Sequence, residues 1–167
     1  MAGFNAPNRR ILVAGIGNIF LGDDGFGVEV VRRLRASPVP EGVIVADFGI
    51  RGLHLAYEIL DGGYDLVVFV DALPRGNTPG AIELLEADLD DVSIQSATPD
   101  GHGMDPASVL ALLRSMGGGS PPVVVVGCEP ASLEEGMGLS PPVAASVDRA
   151  VRAVLDLVQQ GENTQCV

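Results

Sequence analysis

Basic residues are scarce in this chain. Only 10 Lys plus Arg stand against 22 Asp plus Glu, a formal net charge of −12 over 167 residues. Such a balance excludes nucleic acid and anionic membrane as principal partners, because both demand a basic surface. Cysteine is equally sparse: Cys128 and Cys166 are far apart and form no CxxC pair, so neither a zinc ribbon nor a disulfide framework is indicated. Cys128 follows "VVVVG" and reads as a buried small hydrophobe rather than a nucleophile. No apolar run approaches the roughly 18 residues that a membrane helix needs. Arg9 and Arg10 precede an apolar run, as in an export signal, but the run breaks at Gly17–Asn18 and no small-residue cleavage pattern follows. A cytoplasmic protein is expected, with no nucleic acid and no membrane among its partners. Low-complexity tracts are absent too. With 47% hydrophobic residues and the length of one domain, the chain has the material for a sizeable core. The reading is one domain over residues 1–167, with short tails at 1–9 and 161–167.

What is present is a set of short, continuously apolar runs: Ile11 to Ile16, Leu66 to Val70 and Val123 to Val126, with a shorter one in "GVIVAD", Gly42 to Asp47. Runs of this kind fit strands buried on both faces of a parallel sheet. Helical spacing lies between them. Val28, Val31 and Leu34 mark one helix, and Leu53, Ala56 and Leu60 a second. Val109, Leu112, Leu113 and Met116 mark a third. Val143, Val147, Val151, Val154, Leu155 and Val158 mark a long last helix, with Ser140 and Pro141 as its cap and first turn. The order predicts a three-layer α/β/α sandwich around a mostly parallel five-stranded sheet. "AIELLEAD" alternates and follows a turn-rich link, so it is expected as an antiparallel edge strand. The chain then has to climb back through residues 88–104 before a helix at Pro106. That climb carries His102 to the carboxyl edge of the sheet, where sites in open α/β sheets lie.

Candidate chemistry collects at that edge. Asp23 and Asp24 sit in "GNIFLGDDGFG" before the first helix, where one acid is expected as the N-cap and the other faces the cleft. Asp71 ends the apolar run "LVVFV", where a carboxylate is costly unless paired, hydrogen-bonded or on a metal. His102 lies in "PDGHGMDP", whereas His54, on a helix, reads as a surface or packing residue. Carboxylates with an imidazole suit a divalent ion without naming it, since nickel, zinc, iron and manganese all accept such ligands. A dinucleotide fingerprint built on Gly15 and Gly17, with Asp47 as the ribose-binding acid, requires a third glycine where Phe20 stands, and two acids where a pyrophosphate would sit. A nucleotide-binding module and a non-catalytic, metal-dependent chaperone remain alternatives. No Ser–His or Cys–His motif is present, which disfavours an acyl-enzyme route.

"ILVAGIGNIFLGDDGFGVEVVRRL" resembles the opening of the nickel-iron hydrogenase maturation proteases. The similarity continues through "DFGIRGLHLAYEIL", "YDLVVFVDAL", "HGMDPASVLALL" and "VVVVGCEPASLEEGMGLSPPV". The resemblance implies a five-stranded sheet with one antiparallel strand. It also implies an endopeptidase that removes the C-terminal extension of the hydrogenase large-subunit precursor after nickel insertion. Three metal-contacting residues then fall on Asp24, Asp71 and His102, with Asp24 and Asp71 also carrying the hydrolysis. Family members have Glu or Asp at the first of these. The implied metal is nickel, brought by the substrate and replaceable by other divalent cations. The implied partner is the large-subunit precursor; a monomer is expected separately, from the charge and solubility of the chain.

Overall fold

The computed structural model describes residues 9–87 and 105–163. Strand β1 (Ile11–Ile16) leads through a 3₁₀ turn (Gly22–Gly25) into helix α1 (Phe26–Arg35). Strand β2 (Val43–Gly49), helix α2 (Gly52–Gly62) and strand β3 (Leu66–Ala72) follow, then strand β4 (Ile82–Ala87). After the undescribed 88–104 stretch come helix α3 (Pro106–Ser115), strand β5 (Val123–Cys128), a short helix α4 (Pro141–Ala144) and helix α5 (Val147–Asn163). The strands form one sheet in the order β2-β1-β3-β5-β4, parallel except for the β4–β5 pair. The expected antiparallel edge strand is therefore present, with Leu84 facing Val126 and Ala87 facing Val123.

Strand alternation sorts the core into two layers. Leu12, Ala14, Val67 and Phe69 pack with Leu55 and Ile59 of α2 and Val109 and Leu113 of α3. Ile11, Val13, Val68 and Val70 pack with Phe26, Val30 and Leu34 of α1 and with Val147, Val154 and Val158 of α5. The three long apolar runs are strands covered on both sides, as their composition requires. The shorter run in β2 is not: β2 is an edge strand, its residues are half-buried, and Ile44 is exposed. Two helices also depart from their predicted patterns. On α2 the buried stripe runs through Leu55, Ala56 and Ile59, leaving Leu53 exposed. The long last helix is broken: Ala145 and Ser146 separate α4 from α5, and the Ser146 hydroxyl donates to the carbonyl of Gly80. Among the described residues no helix is long and apolar enough to cross a membrane.

Topology sets the place of the site. From β1 the chain crosses to β2 on one side, and beyond β3 it moves to β4 and β5 on the other. The crevice between the carboxyl ends of β1 and β3 is thus a switch point, where open sheets of this class bind their ligands. Gly17 and Asp71 flank it.

Candidate active site

Two glycines let the first loop close over the strand ends. Gly17 adopts φ +128°, its amide donates to the carbonyl of Gly49 at 3.0 Å, and a side chain there would strike the carbonyl of Asp24. The same side chain would stand 3.3 Å from Asp71 Oδ1, so this backbone touches both halves of the site. Gly27 has no room for a Cβ either, because it lies against the carbonyls of Ile16 and Val70 and brings the first turn of α1 onto the ends of β1 and β3. Asn18 shapes the turn between them. Its side-chain oxygen accepts from the Phe20 amide at 2.9 Å, and its own amide donates to Asp24 Oδ2 at 2.7 Å.

The adjacent acids then part company. Neither caps α1, whose N-cap is Gly25 with no side-chain hydrogen bond. Asp23 is buried and turns toward the 131–140 loop. Its Oδ2 accepts from the amides of Ala131 (2.8 Å) and Ser132 (3.0 Å) and from the Ser140 hydroxyl (2.8 Å), and its Oδ1 accepts from the Ser140 amide (2.7 Å). Burial pushes this carboxyl up, but the hydrogen bonds from Ser140, Ser132 and Ala131 together outweigh it and hold Asp23 below the ordinary carboxylate value. Ser140 stands at the expected N-cap, now of α4 with Pro141 in the first turn, but its hydroxyl donates to Asp23 rather than to the helix.

Asp24 and Asp71 are in the opposite condition. Asp71 lies on the central strand, opposite Gly127 of β5, and is 2% exposed. Its Oδ1 is buried with no hydrogen-bond partner among the described residues. Burial above all, then repulsion from Asp24 and from Asp105, pushes its carboxyl well above the usual range. Asp24 is half-buried and is likewise pushed up, by burial and by Asp105, against the pull of the Asn18 amide. Asp105 belongs here because it N-caps α3, accepting from the Ser108 amide at 2.7 Å. By strand alternation Asp71 shares the face of Val67 and Phe69, the side on which α3 packs. An orphaned carboxylate oxygen among three mutually repelling acids is the environment a divalent cation would relieve.

Of the predicted ligands, the structure brings Asp24 and Asp71 into electrostatic contact, while His102 lies outside the described residues. Among the described residues no group of three His, Cys, Asp or Glu is arranged to hold a metal. His54 is exposed on α2. Cys128 is a core residue whose thiol is pushed up to about 11, by burial first and then by Asp23, which leaves no nucleophile there. Four site residues escaped the sequence reading in this role. Asn18 and Asp105 are local turn and cap residues, and the Asp-Pro pair before a helical pattern was a usable signal for the second. Glu129 is buried and accepts from the amides of Arg75 (2.7 Å) and Gly76 (3.2 Å), tying down the turn after β3. Asp47, weighed above only as a ribose ligand, has a buried Oδ1 without a partner among the described residues.

Comparison with known proteins agrees with this fold. A family model described as hydrogenase maturation protease matches residues 28–157, a span that contains Asp71 and begins just after Asp24. The chain is 32% identical over 154 residues to the hydrogenase 2 maturation protease of Escherichia coli, covering 90% of this chain and 92% of that protein. Its fold superposes on a hydrogenase maturating endopeptidase from E. coli with a TM-score of 0.75 at 31% identity, covering 91% of this chain and 93% of the other. A NiFe hydrogenase maturation protease from Thermococcus kodakarensis gives a TM-score of 0.71 at 28% identity, covering 92% and 95%.

Proposed function

The chain belongs to the hydrogenase maturation protease family and is a peptidase, and on that footing we propose that it removes the C-terminal extension of the nickel-iron hydrogenase large-subunit precursor once nickel has been inserted. The observation that carries this reading is Asp71: a carboxylate on the central strand, buried, with an unpartnered oxygen and with Asp24 raising its proton affinity. A fold does not retain such a group for stability. The donor set fits a divalent ion, and in this reading the ion is part of the substrate, contacted by Asp24 and Asp71 with His102 as third ligand.

Recognition and cleavage are then one event. A precursor without nickel brings its tail to a rim of like charges that repel each other. A loaded precursor brings a cation that both carboxylates favour, and the scissile peptide is held beside them. Hydrolysis at such a site takes one of two forms: a carbonyl polarised by the ion, or a water whose proton passes to a carboxylate. Other divalent cations of similar ligand preference are expected to substitute in binding. A dinucleotide in the same place is disfavoured, because Phe20 is 60% exposed where the fingerprint has glycine and Asp24 occupies the phosphate seat.

The test is the mass of the precursor after incubation. Purified enzyme is expected to shorten nickel-loaded precursor at its C-terminus and to leave nickel-free precursor intact. Asp71→Asn is expected to abolish shortening while retaining the native circular dichroism spectrum. Equal cleavage of both precursors would remove nickel from the proposal, and an active Asp71→Asn would remove the site.

A further inference from the structure

The first loop does more than carry Asp24. It pairs along its back with the 131–140 loop: the Gly22 amide donates to Gly136 at 2.8 Å, the Gly136 amide to Phe20 at 2.9 Å, and the Asp23 amide to Ser132 at 3.0 Å. Between the two loops and the first turns of α1 lies a pocket of about 220 Å³. Its walls are Ile19, Val28, Met137 and Leu139, with Gly22 and Gly25 of the 3₁₀ turn. Met137 is 72% exposed, a high value for a large apolar side chain. Phe20 and Leu133, on the same two loops, are exposed as well.

We propose that this pocket receives an apolar side chain of the polypeptide substrate, next to the residue that Asp24 and Asp71 act on. The inference rests on the reading of those two carboxylates as the reacting site. Three observations select this occupant. The pocket and the carboxylate come from one turn: Gly22 and Gly25 line the pocket, and Asp24 lies between them in the same 3₁₀ turn. A side chain seated here is therefore held by the same turn that carries Asp24. The volume is below the roughly 300–1,000 Å³ of small-molecule and cofactor sites, and matches one aliphatic or methionine side chain with its backbone. The pocket is also held open in advance, because the Asp23 hydrogen bonds and the paired loop amides fix both walls. A preformed pocket spares the ordering cost of binding.

Charge defines the flanks of the bound segment. Arg32 at the mouth is paired with Glu29 at 3.3 Å and is neutralised by it. Asp24 lies in the same 3₁₀ turn as Gly22 and Gly25, on a chain of net charge −12. An apolar anchor with neutral or basic neighbours is favoured, and an acidic segment is repelled.

The experiment is steady-state cleavage of nickel-loaded precursor by the full-length enzyme with Met137→Glu and Met137→Leu. Introducing a carboxylate at the pocket wall should raise KM about tenfold or more, with kcat within about twofold of wild type. Met137→Leu should restore the wild-type KM. Because Met137 is exposed, thermal melting of both variants should match wild type. An unchanged KM in Met137→Glu, or a fall in kcat at constant KM, overturns the assignment. Asp71→Asn in the same assay separates the two readings: inactive Asp71→Asn with normal Met137→Glu removes the pocket alone, and active Asp71→Asn removes the carboxylate site beneath it.

Discussion

If Asp71 is kept for chemistry, removing its charge should make the protein more stable as it makes it inactive. Asp71→Asn keeps the shape of the side chain, deletes the charge that burial disfavours, and ends the repulsion from Asp24 and Asp105. An unsatisfied buried polar group costs about 1–3 kcal/mol, and more when charged. The amide leaves part of that cost in place, so a net gain of about 1–3 kcal/mol at neutral pH is a fair expectation. For a chain of this size that is a rise in Tm of roughly 2–10 °C.

The pH dependence makes the argument specific. The ordinary value for this carboxyl is 3.8, and the folded state holds it well above that. Between the two values the folded chain keeps a proton that the unfolded chain has lost. Wild-type stability therefore falls as pH rises through that window, and the Asp71 part of the loss is complete above the folded value. The variant lacks this slope. Its advantage should be small near pH 4 and should widen with increasing pH, as read by urea unfolding at a series of pH values. Added nickel should stabilise wild type, by about 2.7 kcal/mol at a hundredfold excess over its Kd, and should do much less for Asp71→Asn. A variant less stable than wild type at pH 8, or a difference that does not change with pH, would refute the account of Asp71 as a buried carboxylate whose one backbone hydrogen bond, from Ala72, does not offset its burial.

Three further outcomes follow from neighbouring groups. Asp23→Asn should destabilise by roughly 2–4 kcal/mol in urea unfolding, close to Asp23→Ala, because both oxygens of Asp23 accept and an amide nitrogen in either position faces donors. The stability Asp23 confers should be present above its ordinary value of 3.8 and lost as pH falls through its lower folded value, the reverse of Asp71. Gly17→Ala should cost about 1–3 kcal/mol by thermal melting and should impair precursor cleavage, since φ +128° disfavours alanine and the new Cβ displaces the carbonyl of Asp24. In a Cys166→Ser background, Cys128 should resist alkylation at pH 8 until denaturant is added, its thiol being buried and pushed up to about 11.

The sheet was readable in the sequence because burial on both faces leaves little choice of residue in Ile11–Ile16, Leu66–Val70 and Val123–Val126. Asp71 was readable for the same reason, as a charge where such a run allows none. Helix phase was less so. In α2, Leu53, Leu55, Ala56, Ile59 and Leu60 are all apolar, so the pattern does not say which of them the sheet will cover, and Leu53 is left out. The break between α4 and α5 falls at Ser146, whose hydroxyl bonds Gly80, a partner 66 positions away that local periodicity does not reveal. The partners of Asp23 are more distant still, 108 to 117 positions along the chain. A local reading sees two acids before a helix and offers a cap, but the cap is Gly25 and the acids are used elsewhere.

That pair also shows why a cation would choose one acid and not its neighbour. To bind an ion, Asp23 would have to release amides and a hydroxyl inside the protein, each worth about 1–3 kcal/mol if left without a partner. Asp24 has one hydrogen bond among the described residues, from Asn18, and lies where Asp71 and Asp105 already raise the local negative potential. An ion arriving at Asp24 displaces little and relieves repulsion. The two roles depend on each other. By clamping the 131–140 loop, Asp23 fixes the 3₁₀ turn, and the turn holds Asp24 where its own electrostatics would not. The hydrogen bonds on the first acid thus keep the second in an unfavourable position, and a charge held in an unfavourable position has the most to gain from a metal-loaded substrate.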